Sequence, residues 1–147
     1  MSTVDHYSEH YRSAVQHLVP DELILSVGVF THARVMLPDG SSTPWLADDI
    51  ALGAGTASLV AVHFRPAGME IAPVAVLATW SRADVTVALH ETTVLRLLHV
   101  RDDRPGSELV ELHSPRQLGA FDRLNDALYR DLGVAVRDAD ISTRRGS

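Results

Sequence analysis

The chain has 147 residues, 46% of them hydrophobic, with 19 acidic and 13 basic side chains for a formal net charge of −6; that length suits one domain with its own core, and the acidic balance disfavours nonspecific binding to nucleic acid or anionic membrane. All 13 basic residues are arginine and cysteine is absent, which excludes Schiff-base and Walker-lysine chemistry, disulfides, thiol catalysis and thiolate metal centres supplied by this chain. The start lacks the pattern of a signal peptide and no stretch reaches the roughly 20 apolar residues of a membrane span, so a soluble cytoplasmic protein is expected.

Residues 5–18, DHYSEHYRSAVQHL, place Tyr7, Tyr11, Ala14, Val15 and Leu18 on one apolar arc of a helix, with Ser2 or Thr3 as cap and Pro20 as terminator. His6, His10 and His17 flank that arc, while Glu9 and Gln16 are expected to face solvent. Residues 23–37, LILSVGVFTHARVML, alternate in a strand-like manner, with Leu23, Leu25, Val27, Val29, Ala33 and Val35 sharing one parity. The run is long for one strand, so a bend or two strands are expected, with Gly28 a candidate bulge. Pro38-Asp39-Gly40 marks a turn, and the segment up to Gly55 is too interrupted to assign, with Trp45 and Leu46 as its candidate anchors.

Strands are expected at 57–64, 69–79, 84–90, 93–100 and 108–113, separated by turn-forming clusters too short for βαβ crossovers. In DVTVALH, Val85, Val87 and Leu89 face one way and Asp84, Thr86, Ala88 and His90 the other, the pattern of a half-buried antiparallel strand. Ser114-Pro115-Arg116-Gln117 has the form of a capping box, and Leu118, Phe121, Leu124, Leu128, Tyr129 and Leu132 form an apolar stripe ended by Gly133. A helix over 114–132 is therefore expected, and Asn125 inside its stripe needs a hydrogen-bond partner, because a buried orphan amide costs roughly 1 to 3 kcal/mol.

The fold class that follows is α+β, predominantly β: a curled antiparallel sheet or small barrel with a C-terminal capping helix and an additional N-terminal helix. The expected organisation is an amphipathic helix at 1–19, a β domain with its closing helix at 20–133, and a polar tail at 134–147. The strand ending VAVLATW, the following SRADVTVAL, and the polar turn leading into HSPRQLGAFDRLNDAL resemble the bacterial pleckstrin-homology-like domains of actinobacterial type, over roughly residues 20–132. The spacing of Trp80, Arg82 and Asp84, and the closing helix with Leu118, Phe121, Asn125 and Leu128, carry the resemblance. It implies a seven-stranded curled sheet capped by a helix, noncatalytic, holding proteins or lipid headgroups. The turn LPDGSSTPW has no basic residue and one acid, which disfavours phosphoinositide binding and leaves protein binding as the stronger expectation.

Each candidate site has an ordinary structural alternative. His6 and His17 are eleven residues apart, about 16 Å along a helix, and cannot share one ion; His6 and His10 can pair but have no further ligand motif beside them. These three histidines are expected to edge a partner or self-association contact rather than bind metal. His32, His63, His90, His99 and His113 all fall in strand-like segments; His99 and His113 can meet across neighbouring strands, with Asp102 as a candidate orienting acid. His90 and Glu91, adjacent on a strand, point to opposite faces and are not expected to cooperate. Arg82 can stack on Trp80 or pair with Asp84, chiefly to fix the connection between strands. GAGTAS at 53–58 lacks the order and frame of a dinucleotide loop, so Gly53 and Gly55 are expected in a turn, and Asp48-Asp49 is expected to be a solvated loop pair. No G-x-S-x-G nucleophile motif occurs.

The leading functional expectation is a noncatalytic protein-binding or scaffolding module without cofactor or resident metal, with His6, His10, His17, Trp80, Arg82, Asp84, His99 and His113 as contact candidates. The rival is a small enzyme or small-ligand carrier with a polar pocket inside the curled sheet.

Overall fold

A computed structural model describes residues 3–45, 49–67, 70–116, 123–134 and 136–138. The elements are helix α1 (Thr3–Leu18), strands β1 (Ile24–Phe30), β2 (His32–Met36), β3 (Ser42–Pro44), β4 (Ile50–Gly55), β5 (Ser58–Ala67), β6 (Glu70–Ser81), β7 (Val85–Glu91), β8 (Leu95–Asp102) and β9 (Leu109–Pro115), helix α2 (Asp126–Leu132) and strand β10 (Val136–Asp138). They form a four-stranded sheet of order β1-β4-β5-β6 and a six-stranded sheet of order β10-β7-β8-β9-β2-β3. Every pairing is antiparallel except that of β10 with β7. The chain passes from the four-stranded to the six-stranded sheet at Thr31, returns between β3 and β4, and crosses again at a 3-10 turn, Arg82–Asp84, so the sheets curl around a shared core of Phe30, Leu52, Leu59, Leu89, Leu98 and Leu112, closed by Leu128 and Tyr129 of α2. The expected α+β, predominantly β class, with a helix at each end of the β domain, is the observed one.

A second apolar cluster lies under α1, where Tyr11 and Val15 pack on Ile24, Val27, Val60, Val62 and Phe64. Tyr11 meets Phe64 edge-on, with ring centroids 5.2 Å apart. Each such side chain taken out of water contributes roughly 1.5 to 3 kcal/mol, so tertiary packing holds the helix to the sheet. Gln16 does not face solvent as expected: its amide accepts from the Ile24 N–H at 2.9 Å and donates to the Glu22 carbonyl at 2.6 Å, clipping the α1–β1 connection.

With α1 on one side and the shared core on the other, all six residues of β4, IALGAG, are buried. That burial explains why the segment shows no alternation, and it places Gly53 and Gly55 in a central strand instead of the expected turn. A Cβ on Gly53 would lie 2.8 Å from Val15 Cγ1, so glycine there sets how closely α1 approaches.

The register of β1 shifts between Ile24 and Ser26. The irregularity is at Leu25, not Gly28, and it reverses the faces: Ile24 is buried, whereas Leu23 and Leu25 are 60% and 48% exposed. Gly28 serves another purpose, since a Cβ there would sit 2.5 Å from Leu128 Cδ2 and 3.2 Å from the Asn125 amide. Asn125 is buried and treats β1 as a neighbouring strand would, accepting from the Val29 N–H at 2.8 Å and donating to the Val29 carbonyl at 3.0 Å. This satisfies the partner requirement read from its place in the stripe.

The C-terminal helix is the largest departure from expectation. Ser114 and Pro115 end β9, opposite Arg96 and Leu95 of β8, so Ser114 caps no helix; an available strand edge overrode the local capping signal. Residues 117–122, including Gln117, Leu118 and Phe121, lie outside the described residues, as do Leu46 and Asp48. The described helix is Asp126–Leu132, ending at Gly133. Beyond it, Val136–Asp138 pair with Leu89, His90 and Glu91, so part of the expected 134–147 tail is a strand.

Candidate functional site

Alternation on β2, β7, β8 and β9 turns one set of residues to the core and the other outward. Ala33, Val35, Leu89, Leu98, Val100, Val110 and Leu112 are the inward set. The outward set brings His32 and Arg34 of β2, His90 of β7, His99 of β8, and Glu111 and His113 of β9 onto one platform. Ladder register determines this convergence, with His32 opposite His113, Arg34 opposite Glu111, and His99 opposite Glu111.

Glu111 is the centre. It is only 5% exposed, and it accepts from Arg34 Nε at 2.8 Å, His99 Nε2 at 2.8 Å and His113 Nε2 at 2.6 Å. An ionised carboxylate has no proton to donate, so both imidazoles carry hydrogen on Nε2. Burial pushes the Glu111 carboxyl up, but the hydrogen bonds from His113, His99 and Arg34 outweigh it and hold the carboxyl below its ordinary value. Two further rings extend the platform: His32 lies edge-on to His113 at 5.1 Å, and His90 lies 4.7 Å from His99. The arrangement can hold protons and present cationic or imidazole surface. It offers no nucleophile paired with a base. Among the described residues, no group of three or more His, Asp or Glu side chains is arranged to hold a metal ion.

His99 and His113, which the sequence places where they can meet across neighbouring strands, both turn to Glu111. Asp102, the candidate orienting acid, is taken by Arg104 at 2.7 Å. The signal for Glu111 was present: E-L-H at 111–113 and H-A-R at 32–34 put polar side chains two apart on one strand face. His63 is 2% exposed on β5, in register with Ile50 and Ala75, away from this platform. Glu91 points to the opposite side from His90, as expected, and binds Arg96 at 3.0 Å and Arg116 at 2.9 Å.

The other candidates are scattered. His10 and His17 are exposed on α1, with His10 edge-on to Tyr11 at 6.2 Å; the side chain of His6 lies outside the described residues. Trp80 stacks on Trp45 at 6.5 Å, forming one wall of an open cleft of about 500 Å3 with Leu77, Asp102, Arg104 and Glu108. Arg82 takes neither expected partner, Trp80 or Asp84. It donates to the Gly55 carbonyl at 2.8 Å and the Asp131 carbonyl at 3.0 Å, while the Asp131 carboxylate also accepts from Ser26 at 2.9 Å. This knot ties β1, β4 and α2 to the corner between sheets, a structural role. Asp84 is exposed, and its carbonyl accepts from the Asp103 N–H at 2.8 Å.

No protein-family model and no curated protein matches the chain. Among solved structures, a chain from work on SsgB mutations that correlate with longitudinal cell division during sporulation of Streptomyces coelicolor aligns at 17% identity. The alignment covers 71% of this chain and 83% of that one, with a TM-score of 0.35, a likeness too low to carry an argument. No described helix is long and apolar enough to cross a membrane.

Proposed function

We propose that this chain is a noncatalytic protein-binding or scaffolding module, and that its contact surface is the outward face of β2, β7, β8 and β9. One observation carries the reading: ladder register turns four histidines, Arg34 of β2 and the exposed Arg101 of β8 to one face, with Glu111 buried under Arg34 and the Asp103 carboxylate held by Thr86 beside Arg101. A row of imidazole and guanidinium N–H donors at fixed ladder spacing fits a partner that presents carboxylate acceptors. Against the rival reading, a pocket inside the curled sheet, stands the filled interior, where Phe30, Leu52, Leu59, Leu98 and Leu112 are each 0% exposed. The curled sheet with its docked C-terminal helix suits the pleckstrin-homology-like resemblance, and a cytoplasmic setting belongs to the same proposal. The turn after β2 is closed by Asp39 on Ser41 and supplies no basic side chain, so a phosphoinositide headgroup is not the proposed ligand.

The test places a photo-crosslinking residue at His32, which is exposed, and a control at Ser13 on α1. In cells, a discrete adduct is expected from position 32 and not from 13, and Arg101→Glu should abolish it. Sedimentation of the purified chain would show whether the partner is a second copy. An adduct unaffected by Arg101→Glu, or none at position 32, would remove the proposed surface.

A further inference from the structure

We infer that His32 and His113 form a two-imidazole site for a borderline divalent cation of the zinc or nickel class. This goes beyond the binding-module reading and does not depend on it. The two residues are direct partners in the β2–β9 ladder, and their ring centroids lie 5.1 Å apart at an interplanar angle of 72°. Two imidazoles bound at about 2.1 Å in tetrahedral geometry place their ring centres about 5 Å apart. The backbone therefore already sets the spacing, and His32, being exposed, can turn its ring about χ2 to complete it.

Glu111 supplies the second observation. Its hydrogen bond from His113 Nε2, at 2.6 Å, leaves Nδ1 of a neutral ring with its lone pair, the arrangement in which a carboxylate orients a metal-binding histidine and raises its basicity. Arg34, 2.8 Å from the same carboxylate oxygen, opposes a cation on this face. That repulsion and the lack of a third protein ligand among the described residues set the character of the site: open, completed by water, and weaker than a structural zinc centre. Nitrogen ligands select zinc, nickel or copper over magnesium and calcium, which prefer oxygen. His90 and His99 are less suited, because their ladder partners are Leu97 and Ala88 rather than each other and their ring planes meet at 47°.

The test is calorimetric titration of the full chain with zinc chloride, with magnesium chloride as control, alongside imidazole nitrogen NMR. One equivalent of zinc should bind, magnesium should not, and the His113 Nδ1 resonance should shift while its Nε2–H persists. His32→Asn, at an exposed position, should keep the fold and weaken zinc binding at least about tenfold; Glu111→Gln should weaken it about tenfold through lost orientation, with circular dichroism confirming an intact fold. His6→Gln with His10→Gln should leave the titration unchanged, which separates this site from the helical histidine pair. Absence of zinc binding, or zinc binding that survives His32→Asn, would overturn the inference.

Discussion

The two sheets solve opposite problems. β4 and the 59–64 stretch of β5 lie between α1 and the shared core and bury both faces, so, His63 apart, their residues are apolar and, at Gly53, small enough for a helix to approach. β8 and β9 bury one face only, and their other face holds Glu111 with its ring of donors. Doubly covered sheet supplies stability with little chemistry, whereas half-covered sheet places charged groups at fixed spacing while the core beneath sets their register. The charge on the open face is itself held: a carboxylate 5% exposed is tolerable because three donors satisfy it, and removing any of them exposes the desolvation cost.

The largest expected effect tests the shared core on which both sheets rest. Phe30→Ala removes a 0% exposed ring at the corner between them and should cost about 3 to 5 kcal/mol in urea unfolding; a near-neutral result would mean that the corner is not packed as described. Gly53→Val acts on the doubly covered sheet alone. Its new side chain collides with Val15, and a cost of about 1 to 3 kcal/mol is expected, with faster amide exchange in α1 and unchanged protection in β8 and β9. Equal loss in both regions would show that the two layers unfold as one unit.

The smallest effect belongs to the open face and depends on pH. Because the folded Glu111 carboxyl is held below its ordinary value of 4.5, its ionisation stabilises the fold above that value, and the contribution is lost as pH falls from there through the lowered folded value. Glu111→Gln should therefore lower stability more at pH 7 than at pH 3. A gap between variant and native chain that is the same at both values would remove the assigned ionic role.

β7, β8 and β9 were readable because alternation survives when one face meets water: each falls within about two residues of expectation, and the outward place of His90, His99 and His113 follows from parity, whereas the three-residue β3 and β10 are too short to show any. β4 was not readable because burial on both sides erases the periodicity and its two glycines read as a turn, whereas the equally covered β5 was legible at 57–64 from its β-branched run. The bulge at Leu25 was misplaced at Gly28, because two residues opposing one is a property of a strand pair and cannot be seen in one strand alone.

From the sequence alone came the apolar arc of α1 through Tyr11 and Val15, the alternation of VTVALHE, the requirement that Asn125 find a partner, and the absence of lysine and cysteine chemistry. These depend on local periodicity and residue type, which the chain carries at every position. Only the tertiary structure decided that Ser114 and Pro115 extend a strand, that Arg82 binds Asp131, and that Glu111 rather than Asp102 gathers His99 and His113. Each of these depends on hydrogen bonds between segments distant in sequence, and a one-residue change of register would turn the same side chains to the other face of the sheet.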